Sequence, residues 1–530
     1  MKFDLVICDA EVLDGTGAEA FRADVGISGG RIAQVGKLSR NQARDSISGE
    51  GRLVCPGFID IHTHDDFNLP LNPLAHGKTR QGVTTVVTGN CGFSPAPVVP
   101  ERLGLLREVC SFLDTGISYG WSSFGEYLHS LPASAVNIVP LVGHVTVRCG
   151  AMGVEERAPK PAELKVMQAM VAEAMEAGAH GLSTGLIYPP SCYGNTREIT
   201  ALAKVAAQYG GGYFTHMRDE GAGVLKSIDE AVSIGKGSGA YVQISHLKVT
   251  NPGNWGRAGE LLRRIDRARA KGVAVTCDQY PYTAASTGMK TLLPQWVHEG
   301  GSDGLVARLK QVKSRAKIRR ETLQLIKSGT ARIGKWEDAV ISDSPSNPES
   351  AGMNLAQLAA KEDKEPVDAM LDLLIADHAK TLGIYFCMDE QDVIEIMRHP
   401  AIAVGSDGIF LGIPGKPDPT MPHPRYFGTF PRVVGRYARE KSVLTLPEAV
   451  RKMTSLPADI LRLPQRGRVA EGYAADLVLF DPAIIIDTAT YQEPRRAPIG
   501  IDAVLVNGVP VLRGGRETDA APGVVLRRGA

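Results

Sequence analysis

The sequence predicts an α/β protein: a (β/α)8 barrel, a small β-sandwich built from both chain ends, and a subdomain inserted between barrel strands seven and eight. Three observations predict it. β-Type segments joined by Gly-Gly and Asn-Gly turns fill the two ends. Apolar strands alternate with helical segments through the middle. A chemistry-bearing residue closes nearly every one of those strands, as at the working face of a barrel. At 530 residues the chain is long enough for a barrel and a smaller domain.

Residues 3–8 and 11–13 are apolar-rich and run into Asp14-Gly15. Residues 24–27 and 31–35 flank Gly29-Gly30, a two-residue hairpin signal. At the far end 475–480 reads as a strand, and 503–506 and 509–512 flank Asn507-Gly508. Neither end carries enough strands for a stable sheet alone. Residues 1–56 and 465–530 are therefore expected to pair into one sandwich.

Residues 57–464 carry the barrel. Its first strand is Phe58-Ile59-Asp60-Ile61-His62-Thr63-His64, opened by Pro56-Gly57. Alternation along a strand turns His62 and His64 to the same side, about 6–7 Å apart. An isolated His-x-His is more often a solvated pair than half a metal site, so the other strands decide. They are 84–88, leading to Cys91; 136–142, leading to His144; 181–184, ending in Ser183-Thr184; 212–216, ending in His216; 241–246, ending in His246; 273–278, ending in Asp278; and 402–407, ending in Asp407. The stretch 161–177 is helical in pattern, with Met167, Met170, Val171 and Met175 on a core-facing stripe. Far more chain separates Asp278 from Asp407 than one helix needs, which marks the insertion, at about 284–350. Its basic stretch around 310–320 reads as a solvated helix face.

Composition excludes several classes. Lys+Arg number 59 against 58 Asp+Glu, so no global field points to nucleic acid or a membrane surface. No apolar run reaches membrane-spanning length, and the first residues lack a basic region followed by an apolar core. Eight cysteines without regular spacing do not make a disulfide framework, so reduced thiols and a cytoplasmic location are expected. Neither nucleic acid nor a membrane is expected as a partner, and oligomeric state is left open.

Histidines, a thiol and carboxylates at seven of eight strand ends, in a chain with 12 His, are not a chance pattern. They form a zinc-type ligand list, although any one strand-end His could simply bond a backbone carbonyl. With these residues the chain resembles the amidohydrolase superfamily. Within it, Gly89-Asn90-Cys91-Gly92, the run Ser183 through Pro190, His246-Leu247-Lys248, Gln279-Tyr280-Pro281-Tyr282, Gly405-Ser406-Asp407-Gly408 and His423-Pro424-Arg425 resemble the N-acyl-D-amino-acid deacylases (D-aminoacylases). Hydantoinases and dihydroorotases carry a carbamylated Lys on strand four; the stretch 179–188 has none. The deacylases instead use a strand-two Cys, here Cys91, able to bridge two metals.

The resemblance implies one tightly held Zn2+ on Cys91, His216 and His246, and a second, weaker site on His62, His64 and Asp407. It implies hydrolysis of the linear amide C–N bond of an N-acyl-D-amino acid, with Asp407 taking a proton from the attacking water and passing it to the leaving nitrogen. His144 is either a helper at the oxyanion or a core residue. Matched motifs offer Lys248, Tyr188 and Tyr282, and then Ser286 and Arg425, as donors to the substrate carboxylate. Plain surface exposure for Lys248 and plain packing for Tyr188 compete with that reading. Alternative activities on this scaffold are hydrolysis of a cyclic amide or a β-aspartyl dipeptide, and a non-catalytic metal-binding role, which would be expected to have lost Asp407.

The stretch 283–297 contains no Arg, and Lys290 is its only cation. If it lids the site, Met289, Leu292, Leu293 and Trp296 become pocket wall, and apolar D-side chains are favoured over D-Glu and D-Asp. Ordinary packing of the insertion is the competing expectation for those four.

Overall fold

The computed structural model describes residues 2–113, 116–409 and 419–529. Both chain ends enter one nine-stranded sheet. Its seam is the antiparallel pair Leu53–Pro56 and Leu477–Phe480, in register Leu477↔Pro56 to Phe480↔Leu53. The two hairpins form as expected. Gly29 and Gly30 have φ of 56° and 76°, and Asn507 and Gly508 have 47° and 79°, the all-positive pattern that a tight right-twisting hairpin requires. The two turns also touch. A Cβ on Gly30 would lie 2.9 Å from the Asn507 carbonyl oxygen, so the N-terminal tip can seat on the C-terminal one only without a side chain. Leu5, Ile7 and Val25 from one end pack with Leu477, Leu479 and Leu505 from the other.

The middle of the chain supplies parallel strands in chain order. Phe58–Asp60, Val83–Thr88 and Asn137–Pro140 form a three-stranded sheet. Val142–Gly143, Gly181–Gly185, Gly212–His216, Val242–Ile244, Val275–Gln279 and Ile402–Val404 form a six-stranded one. The sheets meet twice. The chain passes from one to the other through Leu141, whose N–H donates to Thr88 O at 3.0 Å. At the opposite edges Thr63 and Gly408 form a parallel bridge, with His64 N–H donating to Gly408 O and Asp407 N–H to His62 O, both at 2.9 Å. Helices such as Thr196–Gln208 follow the strands; this one starts where the Asn195 side chain accepts from the N–H groups of Arg197 and Glu198.

Between Val275–Gln279 and Ile402–Val404 the chain builds a separate layer. Ala285–Gly288, Leu382–Tyr385 and Ala339–Asp343 make an antiparallel sheet backed by helices, among them Val312–Lys327 and Pro366–Ala376. It has its own core, including Met289, Leu292, Ile341, Leu371 and Tyr385. The basic helix Val312–Lys327 buries Ile318 and Thr322 and packs Leu323 and Ile326 on that core, while Lys313, Lys317 and Arg320 are exposed and Arg315 and Arg319 pair with Asp368. No described helix is long and apolar enough to cross a membrane.

Candidate metal centre and active site

Strand ends place the chemistry. Cys91, His246 and Asp407 all sit just past strands with φ of 51°, 37° and 47°, a region that side-chain-bearing residues avoid. Three such outliers among the residues the sequence singled out mark a site where local strain is held by the surrounding fold. The supports are visible. Ser183, on a strand that supplies no metal ligand, donates to Gly89 O and accepts from Gly92 N–H, so it grips both sides of the turn that presents Cys91. Gly185 is needed beside it, because a Cβ there would lie 2.1 Å from the Cys91 carbonyl oxygen.

Six side chains converge in two overlapping groups. His62, His64, Cys91 and Asp407 form one, and Cys91, His216 and His246 the other, with the ligand atoms of each group within 4.8 Å of one another. Cys91 Sγ lies 3.3 Å from His62 Nε2, 3.7 Å from His216 Nδ1 and 3.5 Å from His246 Nε2. Asp407 Oδ1 is 3.5 Å from His62 Nε2 and 3.3 Å from His64 Nε2. All six are buried. Burial raises the Cys91 thiol, but the facing His62, His216 and His246 outweigh it and hold it well below its ordinary value. Burial likewise pushes Asp407 up, while Arg425, His246, His64 and His62 pull its carboxyl well below the usual range. A thiolate, a carboxylate and four imidazoles drawn together out of water suit a borderline-soft divalent ion such as Zn2+.

Around the ligands lies a support that the sequence reading missed. Glu220 Oε1 stands 3.1 Å from His246 Nδ1 and Oε2 stands 3.6 Å from His216 Nε2. Each imidazole therefore offers one nitrogen to Cys91 and turns the other toward one carboxylate. Lys248 Nζ donates to the same Glu220 at 2.5 Å and lies 2.7 Å from His246 Nδ1. Asp278 does similar work on the other flank, 3.3 Å from His62 Nδ1 and accepting the His246 backbone N–H at 2.8 Å.

Beside the ligands opens a cavity lined by His64, His216, His246 and Asp407, and of the expected substrate residues by Lys248, Tyr188, Ser286 and Arg425. Tyr188 donates to or accepts from Thr287 Oγ1 at 3.0 Å and meets His216 edge-on. Arg425 reaches Asp407 Oδ2 at 3.0 Å and the Ser286 carbonyl at 3.4 Å.

Two expectations need correction. Tyr282 is not part of this cavity: a Tyr282 N–H to Tyr280 O bond of 3.0 Å turns the chain, and its ring packs under Arg432 with its hydroxyl 3.4 Å from Pro424 O. Tyr280 lines the cavity instead, beneath Arg425 and Lys248. His144 does not reach the cavity either. It opens the helix His144–Met152, fully buried, with Nδ1 2.7 Å from Ser191 Oγ and Nε2 2.9 Å from Glu198, so neither nitrogen is left for an oxyanion.

Met289, Leu292, Leu293 and Trp296 also lie elsewhere. The first three belong to the core of the inserted layer, and Trp296 packs on it while donating to Glu321. Lys290 faces a neighbouring hollow with Glu108 and His298. Besides Glu220 and Tyr280, sequence reasoning missed Arg332, which comes from the inserted layer and lines the cavity. All eight cysteines are free and buried, and among the described residues only Cys91 stands in a group of metal-type ligands.

The amidohydrolase family model matches residues 46–284 and 355–512. The N-acyl-D-glutamate deacylase of Alcaligenes xylosoxydans xylosoxydans is 39% identical over 100% of this chain and 97% of its own length. The D-aminoacylase of the same organism is 38% identical over 100% and 98%. Among solved structures, N-acyl-D-glutamate deacylase from Bordetella bronchiseptica, complexed with zinc and a phosphonate mimic of the tetrahedral intermediate, superposes with a TM-score of 0.83. It is 38% identical and covers 99% of this chain and 100% of its own.

Proposed function

Since the chain belongs to the amidohydrolase family, within its N-acyl-D-amino-acid deacylases, we propose that it hydrolyses N-acyl-D-amino acids to a carboxylate and a free D-amino acid. The observation that carries the reading is the convergence of Cys91, His216 and His246 with His62, His64 and Asp407 beside a cavity that holds carboxylate-binding cations. Counting Asn137–Pro140 and Val142–Gly143, interrupted at Leu141, as one strand, the two parallel sheets, abutting through Thr63 and Gly408, are read as one (β/α)8 barrel spanning 57–464. The shared terminal sheet is read as a small β-sandwich domain of 1–56 and 465–530. Eight unpaired, buried cysteines suit a cytoplasmic location.

The donors fit zinc, with Cys91, His216 and His246 as the tight set and His62, His64 and Asp407 as a weaker one that shares Cys91. Bound there, zinc supplies Lewis-acid polarisation of the scissile carbonyl and a water whose pKa is lowered to about 7. The chain's own groups do the rest. Asp407 Oδ1, kept ionised by Arg425, accepts the water proton during attack and returns it to the departing nitrogen. Lys248 and Arg425 bind the α-carboxylate, with Tyr280 in the place expected of Tyr282 and with Ser286 and Tyr188 bordering the same space. Zinc content measured alongside turnover of N-acetyl-D- and N-acetyl-L-amino acids tests the proposal. Bound zinc with D-selective release of acetate is expected; a zinc-loaded enzyme inert toward every D-substrate, or one preferring L, overturns it.

A further inference from the structure

Three cations face the cavity, and two of them are already engaged. Lys248 is paired with Glu220 and Arg425 with Asp407. The third, Arg332, pairs with no carboxylate among the described residues; Glu220 is the principal negative charge that it feels. Yet it is carefully held. It sits on the loop after Val312–Lys327, and the buried Asn251 side chain donates to the carbonyls on both sides of it, Ala331 at 2.9 Å and Ile333 at 2.8 Å. Its guanidinium lies over the Tyr385 ring at 5.3 Å. An Arg head is charged at any working pH, and a fixed fork in a partly desolvated cavity without a counter-ion is a site awaiting a planar anion. Holding backbone and head in advance lowers the entropy lost when that anion binds.

The α-carboxylate of the substrate does not need this group. Its donors, Lys248 and Arg425, stand against the ligand cluster, 2.7 Å from His246 and 3.0 Å from Asp407, where the reacting amide must also lie. Arg332, unlike those two, also lines an outer cleft that it shares with Glu220 and that Leu292, Leu293 and Thr330 help to form. We propose that Arg332 reads the substrate side chain as the receptor for a second carboxylate, so that this enzyme favours N-acyl-D-glutamate and N-acyl-D-aspartate. The inference rests on the deacylase reading above. It reverses the apolar preference expected from 283–297, because the Arg missing from that segment is supplied by a later loop.

Initial rates of the full-length, zinc-loaded enzyme on N-acetyl-D-glutamate, N-acetyl-D-aspartate and N-acetyl-D-leucine test it. The kcat/KM for the glutamate derivative should exceed that for leucine by at least about tenfold. In Arg332→Gln that ratio should fall by roughly 100-fold, mainly through KM, with Arg332→Lys in between because an ammonium lacks the bidentate fork. A wild-type enzyme that handles N-acetyl-D-leucine as well as or better than the acidic substrates overturns the inference whether or not the variants fold, and leaves the deacylase reading standing. An unchanged ratio in Arg332→Gln overturns it as well, since Arg332 would then serve the α-carboxylate or the fold. No acetate from any D-substrate removes both.

Discussion

Arg425 holds Asp407 twice: its Nη2 lies 3.0 Å from the Asp407 carboxylate, and its Nε donates to the Asp407 carbonyl oxygen at 2.8 Å. One guanidinium thus fixes the charge and the positive-φ backbone of the proposed acid–base residue together. Replacing Asp407 by Asn keeps the shape and removes the proton acceptor, so kcat should fall by about 10²–10⁴ while zinc at the Cys91 group is retained. Steady-state rates with metal analysis on the same preparation check this, and near-normal kcat would assign the proton transfer to another group.

Cys91 is the only ligand common to both groups, and His216 and His246 on neighbouring strands complete the one proposed to bind tightly. Cys91→Ala should therefore lose tightly bound zinc and activity together. Near-stoichiometric zinc in that variant would contradict the assignment.

What was legible in the sequence followed from strand periodicity. His62, His64, Cys91, His216, His246 and Asp407 each end a strand or begin the turn after it, and the barrel-type layout fixes where such residues go. Glu220 and Arg332 were missed because loops deliver them, and Tyr280, the first residue past the strand Val275–Gln279, was passed over for Tyr282 in the same motif. Arg332 reaches the cavity only because Asn251 clamps its neighbours, a tertiary contact with no local pattern. His144 misled for a related reason. It follows a strand as the others do, but its helix begins at once and turns the ring toward Ser191 and Glu198. The apolar run Met289 to Trp296 would look the same whether it faced a substrate or the core of the inserted layer.

His144, Arg148 and Glu198 make a buried knot under the loop that carries Tyr188, with Arg148 Nη1 2.6 Å from the same Glu198 oxygen that His144 contacts. His144→Ala should cost about 2–4 kcal/mol of stability, because it opens a cavity and strips partners from buried polar atoms. Thermal melting should show a lowered midpoint, while kcat on the folded enzyme stays within a few-fold. A large kcat loss at unchanged stability would restore His144 to the chemistry.

Lys452 provides a pH signature far from the metal ligands. Its side chain is buried and donates to the carbonyls of His399 at 2.5 Å and Ile402 at 3.1 Å, at the entry to the strand leading to Asp407. Burial pushes its ammonium down to about 8 despite the nearby Glu448. Between that value and the ordinary lysine value the unfolded chain binds more protons than the folded one, so stability rises with pH across the window. Lys452→Met removes the group from this balance. The stability of the variant relative to wild type should fall by about 2–3 kcal/mol from pH 7 to pH 10, read as a shrinking difference in unfolding free energy. A difference independent of pH would mean that the two carbonyls keep the ammonium charged.

Glu220 decides how the tighter ligand set is aimed. Its two oxygens face His246 Nδ1 and His216 Nε2, so one carboxylate orients both rings toward Cys91 and favours the same tautomer logic in each. The same carboxylate neutralises Lys248, which would otherwise press a positive charge against His246. Glu220→Gln keeps the volume, but its amide has a single acceptor oxygen for three donors and no charge for Lys248. Zinc affinity should drop by about 10–100-fold, measured by competition with a chelator, and added zinc should recover part of the activity. The loss should be larger than that caused by altering an exposed carboxylate such as Glu299, whose charge lies on the surface of the inserted layer. If instead zinc binding is unchanged and only KM rises, Glu220 acts solely by holding Lys248 for the substrate, and the aim of the two histidines is set by the strands alone.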